Sequence, residues 1–228
     1  MEKINRNIQF SKFGKFGNVE WVKSQSAINY QNSFDWMLSH VKKLQIGNAK
    51  EVVWLLEHQD IYTAGTSAKD IDFKGLKNIK SLRTNRGGQW TWHGPGQRII
   101  YFILNLNNRK SDVRWYVNSL EQLIINTLDE LSIQSERRKN FPGVWIKRQN
   151  KQTEKIDKIG AVGIRISRWI AYHGISININ PDLSKYDGII PCGVTQGGVT
   201  SLADLGIKIS MDDFDSIIAS KFEQLFQY

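Results

Sequence analysis

Apolar residues repeat with helical spacing in two segments of the 228-residue chain, and each repeat predicts a helix that buries one face. Between Asp112 and Leu131 the apolar positions are 113, 117, 120, 124, 128 and 131, a three- and four-residue spacing typical of an amphipathic helix. Ser210 and Asp213 have the spacing of a capping box and predict the start of a second helix. A further helix is expected from about Ser26 to Leu44. The apolar face of the second helix comprises Phe214, Ile217, Ile218, Phe222 and Leu225.

Other apolar patterns predict strands. Buried strands are expected at Glu51–Leu56 and Gln97–Leu106. From Lys158 to Asn180 the residues alternate as in a two-stranded hairpin, because every second residue of a strand faces the same side. Strands that are adjacent along the chain, with helices between them, favour a single α+β domain over residues 1–228, with mixed sheets flanked by helices. The apolar sides of the hairpin would carry Lys158, Val162, Ile164 and Ile166 on one strand and Ile175, Ile177 and Ile179 on the other.

The composition is that of a globular protein, with 40% hydrophobic, 23% charged and 11% aromatic residues. The longest apolar run that we find, Ile99–Leu104, is far shorter than the roughly 20 residues of a membrane span. The N-terminal segment has positive charges without the apolar stretch of a secretory signal. Cysteine occurs once, at Cys192, which excludes an intramolecular disulfide and favours a reducing compartment. We therefore expect a cytoplasmic protein that does not enter the membrane.

Positive charge is concentrated just before the predicted hairpin. The chain has a net charge of +9, and between Glu136 and Lys158 eight basic residues stand against three acidic ones. Such a surface favours an acidic partner, although a solvated segment that aids solubility explains the charge equally well. A nucleic-acid-binding module would also use it, but no RNP-like or helix-turn-helix signature is present. The basic residues are Arg137, Arg138, Lys139, Lys147, Arg148, Lys151, Lys155 and Lys158.

Neither a metal site nor a known phosphate loop is indicated. The four histidines (40, 58, 93 and 173) and Cys192 lack the ligand spacing of HExxH or paired CxxC motifs. The segment Arg86–Gln97 has four glycines in twelve residues, but neither GK[ST] nor GxGxxG. Its composition predicts a tight turn into a strand, or a place where a ligand approaches the backbone closely.

Two residues carry candidate chemistry, each with an ordinary alternative. Cys192 lies between Pro191 and Gly193; a lone cysteine is more often an inert buried residue than a nucleophile. Lys158 begins the apolar face of the predicted hairpin. Its ammonium could reach solvent, or it could stabilise a thiolate if it is held at the edge of a low-dielectric face. The small residues at 160, 161 and 163 leave room for a slender ligand against the backbone.

Four motifs in sequence order resemble those of the lipoyl(octanoyl) transferases. RGGQWTWHGPGQ, residues 86–97, is similar to the family signature RGG-x-x-T-x-H-x-PGQ, and KIGAVGIR, residues 158–165, to its lysine-bearing segment. HGISININPDL, residues 173–183, and PCG, residues 191–193 and followed by TSL, resemble the remaining signatures. The resemblance covers about residues 50–205, including Glu57, His58, Tyr62, Thr63 and Gly65.

Two departures from the family pattern are modest. Asp60 stands where a proline is common, and Lys147–Asp157 is expected to be a longer, charged loop than usual. Neither departure removes a residue that the chemistry of the family would need.

The resemblance implies a biotin/lipoyl-ligase-like catalytic fold and a cytoplasmic, monomeric acyltransferase with no cofactor. It would move an octanoyl (or lipoyl) group from acyl carrier protein to a specific lysine of lipoyl domains, in 2-oxoacid dehydrogenases and the glycine cleavage H protein. Carried over by motif, Cys192 is the acyl-accepting nucleophile and Lys158 lowers its pKa. The acyl site would be lined by Arg86, Gly87, Gly88, Gln89, Trp90, Thr91, Trp92, His93, Ala161, Val162, Gly163, Gly174, Ile175 and Ser176.

The types of these residues suit such a reaction. A free thiol is only about 3% ionised at pH 7, so a neighbouring cation matters. Small residues admit an apolar chain, and main-chain N–H groups can stabilise an oxyanion. The sequence does not decide whether Lys158 or a water near His93 accepts the proton of the attacking amine. An ATP-dependent lipoate- or biotin-protein ligase of the same fold is the alternative, but it would need no cysteine nucleophile.

Overall fold

The structure, a computed structural model, describes residues 8–16, 18–139, 141–150, 153–190 and 197–226. The helices within these ranges are α1 (Tyr30–Gln45), α2 (Val113–Glu130) and α3 (Met211–Phe226). None of the described helices is both long and apolar enough to cross a bilayer. The strands are β1 (Phe10–Phe16), β2 (Val19–Ser24), β3 (Val52–Leu56), β4 (Ile61–Ala64), β5 (Lys80–Arg83), β6 (Trp90–His93), β7 (Gln97–Asn105), β8 (Glu136–Arg138), β9 (Phe141–Asn150), β10 (Thr153–Ser167), β11 (Ile170–Asn178) and β12 (Gly197–Val199).

The strands form one large and one small mixed sheet. The large sheet has the order β1-β2-β3-β7-β11-β10-β9-β8, with β12 added alongside β10, and the small sheet has the order β5-β4-β6. The pairs β2–β3, β10–β12 and β4–β5 are parallel, whereas the other pairs are antiparallel. Helices packed on mixed sheets confirm the predicted α+β class.

Both faces of the large sheet are buried, because successive strand residues point to opposite sides. On β7, Ile100 and Phe102 join the cluster that includes α2 and α3. Ile99 and Tyr101 join the cluster under α1 instead. Strand β7, in the middle of this sheet, is therefore covered by helices on both sides.

The predicted buried strands, the 158–180 hairpin and the two amphipathic helices are confirmed, and Ser210 caps α3 as expected. The hydroxyl of Ser210 accepts from the Asp213 N–H at 3.1 Å. The prediction for the first helix was wrong at its start, which lies at Tyr30 rather than near Ser26. The Asn29 side chain accepts from the N–H of Gln31 at 3.0 Å and so caps the helix there, while the preceding residues run alongside the chain at Glu57 and His58.

The prediction of a charged loop at Lys147–Asp157 was also wrong. The described residues of the segment, 147–150 and 153–157, belong to the antiparallel pair β9–β10, in which Arg148 lies opposite Lys155. Ionic contacts offset the cationic side chains, because the carboxylate of the buried Asp157 lies 3.2 Å from Arg148 and 3.4 Å from Lys155. The number of charged residues in a segment does not reveal such ion pairs, so the strands were taken for a loop.

Candidate active site

A cavity of about 450 Å³ lies between the glycine-rich segment 86–91 and strands β10 and β11. On its floor Ala161 pairs with Ser176, Val162 with Ile175, and Gly163 with Gly174. The two triplets that the family resemblance assigns to the acyl site are thus directly opposite each other across one antiparallel ladder, and all six residues line the cavity.

Glycine is required on this floor. A Cβ atom at Gly174 would stand 2.1 Å from the carbonyl oxygen of Ile100 on β7, whereas one at Gly163 would meet the carbonyl oxygen of Gly87 at 3.3 Å. The missing side chains bring β7 and the glycine-rich segment close to the ladder and leave a slot suited to an unbranched apolar chain.

Arg86 holds the glycine-rich segment in place. Its side chain is 7% exposed, and its Nη2 donates to the Thr63 carbonyl at 2.7 Å and to the Gln89 carbonyl at 2.9 Å. The N–H of Gly87 donates to the Ile164 carbonyl at 2.9 Å, which ties the same segment to β10. Arg86 therefore contributes to the site by joining the small sheet to the loop that lines the cavity.

The structure places residues 86–91 and His93 in the cavity lining and Trp92 outside it. The indole N–H of Trp92 donates to the Asp60 carboxylate at 3.0 Å, and its ring contacts Tyr186 edge to face. Trp92 thus packs behind the site, and Asp60 is the partner of its indole nitrogen.

A buried hydrogen-bonded network sets the tautomer of His93. Gln97 donates from Nε2 to Asn178 at 2.9 Å and to the Tyr186 hydroxyl at 2.7 Å, so its Oε1 is left to accept from His93 Nδ1 at 2.7 Å. Burial, together with the neighbouring His58 and the charge of Arg86, holds the pKa of His93 well below its usual range. His93 is neutral, and its Nε2 carries a lone pair.

Two more buried histidines are neutral, one behind the cavity and one in its lining. His58 donates from Nδ1 to the Ile28 carbonyl at 2.8 Å and accepts from the Tyr101 hydroxyl at 2.6 Å, and burial lowers its pKa to about 4. His173 lines the cavity with φ of +60° and contacts Asn85 through Nε2 at 3.1 Å; burial and the Arg86 charge lower its pKa to about 3.

Lys158 is held at the cavity by the neighbouring strand. The side chain is 6% exposed; its Nζ donates to the Pro142 carbonyl at 2.8 Å and lies 4.6 Å from the centre of the Trp145 ring. Trp145 is its partner across the β9–β10 pair, and a register shift follows between residues 158 and 160. Both contacts hold the ammonium group of Lys158 at the edge of the cavity.

A buried carboxylate supports the start of β9, where the Pro142 carbonyl accepts the hydrogen bond from Lys158. Glu121 of α2 accepts from the Gly143 N–H at 2.9 Å, and Gly143 has a φ of +116°, which favours glycine. A Cβ atom here would lie 2.6 Å from the Gly160 carbonyl oxygen. Glu121 and Gly143 therefore fix the Pro142 carbonyl that binds Lys158.

Cys192 lies outside the described residues, so its prediction as nucleophile stays a prediction. The chain on either side is anchored. The N–H of Ile190 donates to the Asp72 carbonyl at 2.8 Å, and β12 pairs with Ile156–Lys158, placing Val199 opposite Lys158. The Asp157 carboxylate in addition accepts a hydrogen bond from the Gly198 N–H at 3.0 Å.

Sequence reasoning missed the residues that position Lys158. Pro142 and Trp145 lie on β9, a strand that was not predicted. Glu121 lies on the inward face of α2, and the sequence did not show what that face packs against. Asn178 was likewise missed; it lines the cavity and donates to the Thr200 carbonyl at 2.9 Å. Among the described residues no cluster of three or more His, Cys, Asp or Glu side chains could hold a metal ion.

Comparison with known proteins identifies the family. The sequence model of the lipoyl protein ligase A/B catalytic domain matches residues 29–223. The chain belongs to this family. Among its curated members, the chain is 46% identical over 213 residues to the octanoyltransferase of Bartonella quintana, covering 91% of this chain and 87% of that protein. The octanoyltransferase of Bradyrhizobium diazoefficiens is 44% identical over 225 residues, covering 97% and 90%. The predicted membership of the lipoyl(octanoyl) transferases is confirmed.

Solved structures of lipoyl protein ligases share the fold. The putative lipoate protein ligase Ta0514 from T. acidophilum, with bound lipoic acid, superposes with a TM-score of 0.64 at 13% identity, covering 92% of this chain and 86% of that one. The biotin protein ligase from Aquifex aeolicus, with biotin and ATP, gives a TM-score of 0.53 at 14% identity, covering 93% and 71%. The biotin/lipoyl-ligase-like fold that the sequence predicted is confirmed.

Proposed function

We propose that the protein transfers an octanoyl group from acyl carrier protein to a lysine of lipoyl domains, through a thioester on Cys192. The observation that carries the proposal is a buried lysine at a cavity whose floor includes the paired glycines Gly163 and Gly174. Lys158 supplies the cation that a thiolate needs, and the slot along residues 161–163 and 174–176 suits an apolar chain. The close octanoyltransferase relatives support the same assignment.

The first step forms the acyl-enzyme. The Cys192 thiolate attacks the carbonyl carbon of the carrier thioester, the bond from that carbon to the carrier sulfur breaks, and the carrier leaves as a thiol. Lys158 first stabilises the Cys192 thiolate as an ammonium ion and then donates its proton to the departing sulfur. Only six residues lie between Cys192 and Val199, which pairs with Lys158; this short connection is compatible with a cysteine near the lysine.

The second step forms the amide. The target lysine attacks the thioester as a neutral amine, the bond between the acyl carbon and Cys192 breaks, and the now neutral Lys158 accepts the proton of the amine. This exchange restores the ammonium–thiolate pair for the next turnover. No atom changes its oxidation state in either step, and the reaction requires no cofactor.

The acceptors would be lipoyl domains of 2-oxoacid dehydrogenases and the glycine cleavage H protein. The protein would act as a monomer in the cytoplasm, without nucleic acid or membrane partners. Octanoyl is proposed as the group transferred; a lipoyl group on the same carrier is the other candidate.

The decisive experiment is intact-mass analysis after mixing the protein with octanoyl-acyl carrier protein in the absence of ATP. We expect a mass increase of one octanoyl group on the wild type and none on Cys192→Ala. A parallel sample receives octanoate with ATP and the lipoyl domain. Modification of the domain in that sample alone, by both the wild type and Cys192→Ala, would overturn the proposal in favour of an ATP-dependent ligase.

A further inference from the structure

The basic segment from Glu136 to Lys158 is largely neutralised by ion pairs. Of its eight basic residues, four contact carboxylates, Lys158 belongs to the site and Lys151 lies outside the described residues. The four pairs are Arg137 with Glu121 at 3.3 Å, Lys147 with Glu136 at 3.1 Å, Arg148 with Asp157 at 3.2 Å and Lys155 with Asp157 at 3.4 Å. These four cations thus join α2 and strands β8 to β10 to one another.

The remaining two, Arg138 and Lys139, have no such partner. No acidic side chain in the described part of the chain lies within salt-bridge distance of either residue, and the same holds for Arg114 on α2. Arg114 and Lys139 are exposed and Arg138 is half-buried. These three residues are called the cationic rim below.

The cationic rim borders the end of the cavity at which Lys158 lies. Arg138 stacks its guanidinium 5.5 Å from the Phe141 ring centre, and Phe141 and Pro142 line the cavity. Val117 also lines it. Arg114 precedes Val117 by three residues on α2, a spacing that puts both side chains on one face of the helix.

The cationic rim also reaches the catalytic lysine through one shared ring. Arg138 lies 5.4 Å from the centre of Trp145, the ring that Lys158 contacts at 4.6 Å. Because Pro142 both borders the cavity and accepts from Lys158, a partner seated on the rim would hold its reactive group close to the site of acyl transfer.

We propose that the cationic rim, together with the apolar residues Val117, Phe141 and Pro142, is the docking surface for the acidic acyl carrier protein. This inference rests on the proposed function. The unpaired positive charges would meet the acidic surface of the carrier, while the apolar residues between them would contact its acyl-bearing arm. Charges at the edge of an interface act mainly on the association rate and are screened by salt.

The test compares two donors, octanoyl-acyl carrier protein and the small uncharged thioester octanoyl-pantetheine. With the carrier, Arg114→Gln/Lys139→Gln should lower kcat/KM for Cys192 acylation about tenfold and flatten its dependence on salt. Adding Arg138→Gln should lower it further. With octanoyl-pantetheine the double variant should retain its rate, since that donor carries no charge for the rim to recognise.

Matched controls separate docking from general electrostatics. Lys42→Gln/Lys43→Gln removes the same charge from the last turn of α1, three turns from the cavity-lining Tyr30, and should leave carrier kinetics within about twofold of the wild type. If the rim variant matches this control in rate and in salt dependence, the docking inference is wrong. If the wild type is acylated by neither donor, the proposed function itself fails.

Discussion

The ammonium of Lys158 lies over the indole ring of Trp145, its partner across two paired strands, with Nζ 4.6 Å from the ring centre. A desolvated cation–π contact of this kind is worth about 2 kcal/mol. The same ammonium donates to the Pro142 carbonyl. Lys158 is therefore fixed in position by groups that do not take part in the reaction.

Replacement of the ring should weaken the catalytic cation. We expect Trp145→Leu to slow octanoyl transfer to Cys192 about tenfold, because the ammonium loses the ring that stabilises its charge. Trp145→Phe should retain most of the rate. Single-turnover acylation followed by intact mass at several pH values measures the effect. The half-exposed Trp169→Leu is the control; equal rates for Trp145→Leu and Trp145→Phe would show that the π face is not what matters.

Removal of the cation should raise the pKa of the Cys192 thiol. An opposite charge nearby favours the thiolate, so Lys158→Met should move the midpoint of alkylation to higher pH by about one unit or more. Iodoacetamide alkylation measured against pH reports this pKa directly, since the chain has one cysteine. A variant with the midpoint of the wild type would show that Lys158 does not tune the thiol.

Two glycines paired across the cavity floor should respond differently to a methyl group. Gly174→Ala would force a Cβ to within 2.1 Å of the Ile100 carbonyl oxygen, and the strands must separate. Overpacking of this kind costs about 1–3 kcal/mol, or about 5 °C in Tm for a chain of this size.

The partner substitution, Gly163→Ala, brings its Cβ only to 3.3 Å from the Gly87 carbonyl oxygen. We expect little change in Tm and a several-fold fall in kcat/KM for the octanoyl donor, because the methyl group narrows the slot. Thermal unfolding and acylation kinetics on both variants check the contrast. It would be refuted if Gly163→Ala lowered Tm as much as Gly174→Ala does.

The buried histidines should make folding stability depend on pH. His58 has a folded pKa of about 4, below its ordinary value near 6.5, so the unfolded chain binds the extra proton first. Its stabilising contribution is complete above pH 6.5 and is lost as the pH falls towards 4, by at most about 1.4 kcal/mol per pH unit. His173 extends the same loss towards pH 3.

Urea unfolding at pH 7.5 and pH 5 measures this loss. His58→Gln keeps a donor for the Ile28 carbonyl and an acceptor for the Tyr101 hydroxyl but cannot titrate. The variant should therefore lose less stability than the wild type between the two pH values, even if it is less stable at both. An identical decrease in both proteins would rule out titration of His58 as a cause.

The sequence was sufficient to predict the helices and strands in which apolar residues recur at a regular spacing. It was also sufficient to single out the triplets 161–163 and 174–176, which lie on the cavity floor. The α2 pattern, the hairpin and the positions 161–163 and 174–176 depend on local spacing and on motif. Strand β9 was missed because its charged residues resembled a solvated loop, and their ion pairs with Glu136, Asp157 and Asp204 are contacts between distant segments.

Trp92 and Arg137 show the same limit in single side chains. Trp92 lies inside a motif that lines the cavity, yet its side chain points to Asp60. Arg137 belongs to the basic segment, yet it contacts Glu121 and the Asn118 carbonyl on α2. A motif identifies a segment, but the direction of each side chain is decided by neighbours that only the tertiary structure supplies.

The cavity floor is the middle of the nine-stranded sheet, and this has a consequence for folding. Amide protons in central strands exchange with solvent only when a large part of the molecule unfolds. A ligand bound along Ala161–Gly163 should therefore protect the whole sheet rather than one segment, adding about 2.7 kcal/mol at a hundredfold excess over its Kd. An octanoyl chain held along this floor by a thioester on Cys192 should therefore slow hydrogen exchange even in strands that the chain never touches.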